Sequence, residues 1–327
     1  MKKVRLGIIG MGYIGQIHLR HASKIANAQV LAVSDVSKKA LFRAEKAGVK
    51  KTFSTYEQLL RDPEIDAVII ALPTHLHLEC AKQAAEAKKH IFLEKPIARN
   101  VEEAQKIISA TEKNSVKLMM GYPLRFNTQF QTLKKRMMQR TLGDVEIAYA
   151  SFISSGPFFH RAEGYAPTPV PEWWFNKELT GGGVLIDMGS HIINLLRWYF
   201  GEVKEIKARF GYRFKMDFED SALCLARFET GTVGVINVGW FSQQYQLKLE
   251  LLGSVGHAIM DHRPSSTLST AVQMFSLGIS KFYHPHYSEL QYFVDCLIKD
   301  NPPSPSGQDG LRDLEAITKA YANKIDL

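Results

Sequence analysis

The sequence predicts an α/β protein of two domains, an N-terminal doubly wound parallel sheet and a C-terminal α+β domain with a mainly antiparallel sheet. The chain has 327 residues, which suffices for two domains at roughly 150 residues each. Residues 4–120 alternate short apolar runs with helical patterns, as parallel sheets covered by helices do. After residue 125 the stretches lengthen and alternate apolar with polar residues, which is typical of antiparallel strands. We therefore expect one domain over 1–122 and another over 123–327.

Five apolar runs of the first domain predict parallel strands, and five amphipathic patterns predict the helices that cover them. The strands are expected at 5–9, 30–34, 67–72, 90–93 and 117–120, and the helices at 14–26, 38–47, 56–61, 78–88 and 101–113. This alternation is that of a doubly wound sheet, whose ligands bind at the carboxyl ends of the strands.

The second domain starts with a predicted helix over 128–140 and continues with predicted strands at 145–153, 203–214, 222–228, 232–240 and 246–252. Gly231 suits the tip of a hairpin, because glycine tolerates the positive φ that such tips need. A long loop over 157–183 carries several aromatic side chains, and loops of that length are commonly functional. Two further helices are expected at 289–299 and about 309–325, and the last could pack back on the first domain.

Composition excludes several classes of protein. Hydrophobic residues make up 45% and charged residues 23%, as in an average globular protein, and no apolar run reaches the ~18 residues of a membrane span. The N-terminus lacks the features of a signal peptide, so we expect a cytoplasmic location and no membrane partner. Three widely spaced cysteines indicate neither a disulfide framework nor a zinc site. The formal charge of +8 favours anionic small molecules, since the basic cluster at 134–140 fits a solvated helix and no nucleic-acid module is present.

A glycine motif, Gly10-Met11-Gly12-Tyr13-Ile14-Gly15, lies between the first predicted strand and the first predicted helix. Its first glycine permits a tight turn, its second lets the backbone approach a pyrophosphate, and its third packs the helix on the strand. The helix N-terminus would attract the phosphates. In this context the motif predicts a Rossmann dinucleotide site, although alone it would also fit a tight turn without a ligand.

Asp35 specifies the dinucleotide, because it ends the second predicted strand, where a carboxylate can bond both ribose hydroxyls of NAD and would repel a 2′-phosphate. Lys38 and Lys39 follow closely, which leaves NADP open as the alternative. Asp35 could instead cap the following helix, a task that Ser37 could equally perform.

Lys95 lies in Glu94-Lys95-Pro96, directly after the predicted strand 90–93 and therefore at the ligand-binding edge of the sheet. A lysine there can bond a substrate hydroxyl and stabilise negative charge that develops on its oxygen as a hydride leaves the carbon. Pro96 would fix the turn that aims it.

Asp187 and His191 are spaced i,i+4, so a helix places both on one face. Asp187 can orient the imidazole, and His191 can exchange a proton near neutral pH. A lone histidine in a helix is more often a satisfied core or surface residue, but here a triple glycine and the aromatic loop precede it. The pair could also bind a metal, yet no third ligand motif is apparent, so we predict no metal site.

Three segments, Gly10 to Gly15, Glu94-Lys95-Pro96 and Gly181 to His191, together resemble the Gfo/Idh/MocA family, which includes glucose-fructose oxidoreductase and inositol dehydrogenases. The resemblance covers nearly the whole chain. It extends to the segments 73–77, 125–127, 219–222 and 306–311. Each segment is unspecific by itself, but their order is specific.

The resemblance implies an oxidoreductase that transfers hydride between NAD(P) and a secondary alcohol or ketone of a sugar or cyclitol. It implies that Lys95, Asp187 and His191 form the catalytic group, and that the large open sheet of the second domain mediates a homodimer or homotetramer. The residues expected to line the cofactor are Gly10, Gly12, Tyr13, Ile14, Gly15, Asp35, Pro73, Thr74, His77, Glu94, Lys95 and Arg125. Those expected to meet the substrate are Lys95, Asn127, His160, Arg161, Trp174, Asp187 and His191.

Two alternatives stay open at this point. An NAD-dependent glycosidase of the same family would use the same residues for a transient oxidation followed by elimination. A non-catalytic dinucleotide or sugar sensor would keep the fold without the chemistry, although the intact Lys95, Asp187 and His191 disfavour it. The aromatic residues of the loop could bind the apolar face of a sugar ring, or they could anchor the loop by packing on the core. The sequence favours neither hypothesis over the other.

Overall fold

The computed structural model of the chain describes residues 3–158, 171–262 and 284–325. Its contacts divide the chain into two units, one combining Met1–Pro123 with Pro285–Leu311 and the other combining Leu124–His284 with Arg312–Leu327. The sequence placed all of 123–327 in the second domain, whereas the segment Pro285–Leu311 belongs to the first unit. The last helix begins in the first unit, and its greater part belongs to the second.

The helices and strands are numbered in chain order. The strands are β1 (Val4–Ile9), β2 (Ala28–Ser34), β3 (Lys51–Phe53), β4 (Ala67–Ile70), β5 (His90–Glu94), β6 (Leu118–Gly121), β7 (Val145–Ile153), β8 (Val203–Gly211), β9 (Ser221–Phe228), β10 (Val233–Gly239), β11 (Gln246–Gly253) and β12 (His257–His262). The helices are α1 (Tyr13–Ala22), α2 (Lys38–Lys46), α3 (Tyr56–Leu60), α4 (His77–Glu86), α5 (Val101–Lys113), α6 (Thr128–Met138), α7 (Lys177–Thr180), α8 (Ser190–Phe200), α9 (Pro285–Ile298) and α10 (Gly307–Ala322).

The first unit is built on a parallel six-stranded sheet in the order β3-β2-β1-β4-β5-β6, the Rossmann order. All four residues of β4 are buried, as expected of a strand covered by helices on both faces. The predicted α/β fold class is thus confirmed for this part of the chain. Strand β3 was not predicted, because a three-residue edge strand with the sequence Lys-Thr-Phe contains no apolar run.

Helix α9 covers the first unit from the C-terminal part of the chain. Leu290, Phe293 and Val294 on this helix are fully buried, and the helix packs on α1 and β1. The Phe293 ring meets Phe92 of β5 edge to face, with 5.8 Å between the ring centroids. The hydrophobic face of α9 therefore completes a core whose other members lie far away in the sequence.

The second unit holds a mixed six-stranded sheet in the order β12-β11-β7-β10-β9-β8. Among the described strands of this second sheet, only the pairing of β7 with β10 is parallel, so the predicted mainly antiparallel α+β domain is confirmed. Along β9 buried residues alternate with exposed ones, so one face of the sheet packs inward. The predicted hairpin joins β9 to β10, with Gly231 at φ +92°.

The structure also locates the cysteines and the basic cluster noted in the sequence. Cys80, Cys224 and Cys296 are free and buried. Lys134 of the basic cluster is half-buried, donates to the Trp198 carbonyl and lies 5.4 Å from the Trp198 ring centroid, whereas Lys135, Arg136 and Arg140 are exposed. Among the helices of the described ranges, none is long and apolar enough to cross a bilayer.

Candidate functional site

The carboxyl ends of the first sheet gather three of the predicted segments. The glycine motif follows β1, Pro73 and Thr74 follow β4, and Lys95 follows β5. Strands β1 and β4 are neighbours in the sheet although β2 and β3 lie between them in sequence, so the strand order reverses there. Ligands of doubly wound sheets bind in the crevice at such a reversal.

The glycine motif forms a tight turn with one open side. Gly10 has φ +90°, and a Cβ placed there would lie 2.4 Å from the Ala71 carbonyl oxygen. A Cβ at Gly15 would lie 1.9 Å from the Gly10 carbonyl oxygen, so the helix approaches the turn closely. Gly12, by contrast, is exposed, and no described atom lies within 4 Å of a Cβ placed there. The first and third glycines are required by the fold, while the second leaves room for a ligand.

The N-terminus of α1 is suited to bind an anion. Gly12 occupies the N-cap position, no side chain among the described residues caps the helix there, and its first turn contains no acidic residue. Tyr13 is exposed and Ile14 half-buried. Backbone N–H groups of the first turn can therefore bind phosphate oxygens, assisted by the helix dipole.

Asp35 lies beside this turn and fixes it to the end of β2. Its Oδ2 accepts a hydrogen bond from the Met11 backbone N at 2.6 Å, and its Oδ1 accepts one from the Ser37 backbone N at 2.7 Å. Ser37, not Asp35, caps α2, through its hydroxyl and the Ala40 N–H at 3.3 Å. Asp35 is half-buried and a carboxylate offers about four acceptor positions, so acceptors remain for ribose hydroxyls. The residues present thus fit NAD.

The segment after β4 contains buried polar side chains. Pro73 is half-buried and Thr74 buried, while His77 is only 1% exposed. The two ring nitrogens of His77 lie 2.9 Å from the Leu72 carbonyl oxygen and 3.0 Å from the Pro96 carbonyl oxygen. Burial lowers the pKa of His77, against the effect of these carbonyls. His77 therefore joins the turns that follow β4 and β5, and its place in the cofactor lining stays a prediction.

Lys95 begins the turn after β5 and is half-buried. Its peptide bond to Pro96 is cis. Glu94 is only 6% exposed. Its Oε2 accepts from the Lys95 backbone N at 3.3 Å, and its Oε1 pairs with His18 Nε2 at 2.6 Å. Glu94 thus faces the interior of the first unit. His18 was not among the predicted site residues. Its position three residues after Gly15, on the apolar face of the predicted helix, could have indicated that it is buried.

Asp187 and His191 lie in the second unit, on either side of a helix junction. Asp187 belongs to a π-helical turn, Leu185–Gly189, and His191 is the second residue of α8. Both side chains are half-buried, and the His191 ring lies 6.0 Å from the Phe152 ring, centroid to centroid. Single π-helical turns occur often at functional sites. Asp187 and His191 are therefore separated by the junction of a π-helical turn and an α-helix, and do not lie within one regular α-helix as their spacing predicted.

Glu219 holds the start of this junction. Its Oε1 accepts from the Leu185 backbone N at 3.0 Å and from the Tyr321 hydroxyl at 2.7 Å, and its carbonyl oxygen accepts from Val184 N at 3.1 Å. A Cβ on Gly183 would lie 2.0 Å from the Glu219 carbonyl oxygen, so only glycine fits there. Burial raises the pKa of Glu219 and, with the Glu219 charge, that of Tyr321. No sequence pattern pointed to Tyr321, which lies 102 positions after Glu219.

Arg125 belongs to a buried polar network of the second unit. Its Nε donates to Asn194 Oδ1 at 2.6 Å, and Asn194 Nδ2 donates to Asp313 Oδ2 at 2.6 Å. Asp313 also accepts from Arg197, which forms a two-bond pair with Glu202. Arg125 is 7% exposed. Its guanidinium thus has a role inside this unit, and contact with the cofactor stays a prediction.

The remaining predicted substrate residues have varied positions. Asn127 is half-buried and caps α6, its Oδ1 accepting from Gln129 N at 2.9 Å. Trp174 is half-buried, and its ring centroid lies 6.5 Å from that of the buried Trp240. This contact favours the hypothesis that Trp174 anchors its segment by packing on the core. His160 and Arg161 lie outside the described residues.

Comparison with known proteins gives matches along most of the chain. Residues 4–122 match the description "Oxidoreductase family, NAD-binding Rossmann fold", and residues 130–259 match the "GFO/IDH/MocA C-terminal domain". The chain is 30% identical to a myo-inositol 2-dehydrogenase of Thermotoga maritima, over 99% of this chain and 96% of the relative.

Two further relatives span nearly their whole lengths. A scyllo-inositol 2-dehydrogenase (NAD(+)) of Bacillus subtilis is 26% identical, over 98% of this chain and 95% of the relative. The solved structure of a probable dehydrogenase from Thermotoga maritima superimposes with a TM-score of 0.82 at 27% identity, covering 98% of this chain and 96% of that one.

Proposed function

The chain belongs to the GFO/IDH/MocA family of NAD-binding oxidoreductases, and we propose that it oxidises a secondary alcohol of a cyclitol or sugar, or reduces the corresponding ketone. The observation that carries the proposal is the strand-end arrangement of the first unit, where Asp35 is bonded to the glycine turn and Lys95 follows β5 at the same sheet edge. Relatives named as inositol dehydrogenases support a cyclitol as the substrate class.

The first unit would bind the cofactor through three groups. The first-turn N–H groups of α1 bind the pyrophosphate, Gly12 leaves the space for it, and Asp35 binds the ribose hydroxyls. When bound, NAD supplies the carbon that accepts the hydride. A 2′-phosphate would lie against the Asp35 carboxylate, and this repulsion supports NAD over NADP.

Lys95 would bind the reacting oxygen. Its ammonium group donates to the substrate hydroxyl and stabilises the negative charge that grows on that oxygen as the C–H bond breaks. The half-buried position of Lys95 strengthens such a charge interaction relative to bulk water.

His191 would accept the hydroxyl proton, since oxidation of an alcohol releases one hydride and one proton. An imidazole titrates near neutral pH and can return that proton in the reductive direction. Asp187, four residues earlier, would orient the ring and stabilise its charged form. The roles of Asp187 and His191 rest on the residue types, their spacing and the family.

Two properties of the whole protein are proposed on separate grounds. Exposed apolar residues on the outer face of the second sheet support a homodimer or homotetramer. Free, buried cysteines support a cytoplasmic location, because thiols stay reduced there.

A substrate screen tests the proposed function. Purified protein is mixed with inositols, aldoses, keto-sugars and sugar phosphates, with NAD or NADP, and the absorbance of the reduced cofactor is followed. We expect NAD-linked turnover of at least one cyclitol or sugar, and a roughly 100- to 10,000-fold lower kcat for Lys95→Ala and for His191→Ala. Lys106→Ala and His257→Ala change exposed residues of the same types and are the matched controls.

Three outcomes would contradict the proposal. Full turnover by both Lys95→Ala and His191→Ala would show that neither side chain has the catalytic role assigned to it. Cleavage of a glycoside without net NADH release would identify a glycosidase instead. Binding of NADH without turnover of any polyol would favour a sensor.

A further inference from the structure

Four ionisable side chains meet in the interior of the first unit, beneath the turn that carries Lys95. His18 comes from α1, Glu94 from the end of β5, and His286 and Glu289 from the first turns of α9. His18 and Glu289 are fully buried and Glu94 is 6% exposed. Groups of this kind stay in a protein interior only when hydrogen bonds satisfy them.

Two hydrogen bonds account for part of this cluster. His18 Nε2 lies 2.6 Å from Glu94 Oε1, and His286 Nδ1 lies 2.9 Å from Glu289 Oε1. Two buried atoms of this cluster, His18 Nδ1 and Glu289 Oε2, have no hydrogen-bond partner among the described residues. One nitrogen or oxygen atom from each of His18, His286 and Glu289 lies within 4.8 Å of the other two.

A count of donors and acceptors determines what these two atoms need. Glu94 Oε2 accepts from the Lys95 backbone, and its Oε1 faces His18 Nε2. With both Glu94 oxygens as acceptors, Nε2 is the donor of this pair. A neutral His18 then has a lone pair at Nδ1, which needs a donor. Burial, together with the charge of Glu94, raises the pKa of Glu289 well above its usual value, which favours a carboxylic acid. An O–H at Oε2 is the donor that Nδ1 lacks.

We propose that Glu289, as a neutral carboxylic acid, donates through Oε2 to His18 Nδ1, directly or through one buried water, and that this relay positions Glu94 and with it the Lys95 turn. The order of the relay is Glu289 O–H to His18 Nδ1, and His18 Nε2–H to Glu94. It fixes one tautomer of His18, as the partner of one ring nitrogen generally does. Glu94, His18 and Glu289 are then positioning residues for Lys95, so this inference rests on the proposed function.

A divalent metal is the competing occupant of the cluster, with His18, His286 and Glu289 as ligands. The relay fits better for two reasons. The 2.9 Å pair of His286 and Glu289 already shares a proton, which a metal would displace. Structural zinc sites are almost always four-coordinate, and the described residues of the cluster offer three such ligands.

Nitrogen NMR on protein labelled with ¹⁵N-histidine shows which ring nitrogen of His18 carries the proton, and the measurement needs no enzymatic turnover. We expect the His18 proton on Nε2 and a hydrogen-bonded lone pair on Nδ1. An imidazolium at His18, or a proton on Nδ1, would overturn the proposal. Because this result does not depend on Lys95, it separates failure of the relay from failure of the proposed function.

Two substitutions of Glu289 complete the test. Glu289→Gln keeps the relay, since its amide donates to His18 Nδ1 and its carbonyl accepts from His286, so we expect the His18 tautomer unchanged and kcat within about twofold. Glu289→Met fills similar space without a donor, so we expect a mixture of tautomers and a roughly 10- to 100-fold lower kcat, with a nearly unchanged KM for NAD.

Two outcomes of these variants would overturn the relay. If Glu289→Gln is as damaging to kcat as Glu289→Met, the cluster requires a carboxylate rather than an acid donor. If the wild-type protein contains one equivalent of zinc by elemental analysis and Glu289→Gln loses it, the cluster is a metal site. The wild-type NMR spectrum decides the question even where Glu289→Met does not fold.

Discussion

Individual polar residues at the sheet edge perform more than one task. Asp35, which the sequence assigned to the ribose of NAD, also accepts hydrogen bonds from Met11 and Ser37. It therefore holds the glycine turn in place before any cofactor arrives. The helix cap, which the sequence left open between Asp35 and Ser37, belongs to Ser37.

Asp35→Ala tests the cofactor role of this carboxylate. Loss of charge-assisted hydrogen bonds to the ribose should raise the Kd for NADH about 10- to 150-fold and reduce the preference for NADH over NADPH. Titration of the bound nicotinamide fluorescence measures both constants. Ser37→Ala is the control: it removes a helix cap, at a cost of about 1 kcal/mol in unfolding free energy, and should leave the preference intact. An unchanged preference in Asp35→Ala would remove the role.

His77 and Arg125 show a limit of assigning roles from motifs. Both were expected to line the cofactor, and both are nearly fully buried with side chains bonded inside their own unit. A buried donor must find an acceptor, so a motif position can be filled for the sake of the fold as much as for the ligand.

The strand, turn and helix that form the dinucleotide motif act as one element. Gly10 and Gly15 are enclosed by backbone atoms, whereas Gly12 faces open space. The same residue type therefore serves the fold at two positions and, in our proposal, the ligand at the third.

A pair of substitutions separates these two uses of glycine. Gly10→Ala combines φ +90° with a Cβ 2.4 Å from the Ala71 carbonyl, so we expect a loss of about 2–5 kcal/mol in unfolding free energy. Gly12→Ala should cost no more than about 1 kcal/mol yet weaken NADH binding at least about tenfold, because its methyl group lies where the phosphates approach. Urea denaturation and NADH titration measure the two effects. Tight NADH binding by Gly12→Ala would contradict our placement of the cofactor.

Most elements were recognisable from local periodicity, and the exceptions have physical reasons. The strands of the first sheet appear in the sequence as apolar runs, because helices cover both faces of that sheet. Strand β9 shows alternating apolar and polar residues, because one face of the second sheet is exposed. Strand β3 is too short for either pattern. Strand β12 was missed because its alternation is brief and includes two histidines.

The second sheet exposes apolar side chains on its outer face. Leu225 of β9 and Tyr149 of β7 are 49% and 43% exposed, and both lie directly opposite Val235 of β10. They form a continuous apolar strip across three strands, with Leu223 further along β9. A patch of this kind supports the proposed self-association.

Leu225→Lys tests whether this strip joins copies of the chain. A lysine introduced at each copy of the interface would lose its hydration on assembly, so we expect the oligomer to dissociate to monomers at micromolar concentrations, with the fold retained. Light scattering coupled to size exclusion gives the mass. Ile298→Lys, on an equally exposed isoleucine of α9, is the control and should leave the mass unchanged. An oligomer of unaltered mass in Leu225→Lys would place the interface elsewhere.

The fold class, the Rossmann strand pattern and the family could be predicted from the sequence alone, because periodicity and turn chemistry are local properties that do not depend on the packing. The sequence also identified Asp35, Lys95, Asp187 and His191 as candidates by their position after predicted strands or their spacing on a helix. The residues that contact these candidates became known from the packing of the chain. The His18 and Glu94 side chains meet across 76 positions, and α9 returns to the first unit from the far end of the chain. Such contacts depend on topology rather than on local pattern, so no window of the sequence contains them.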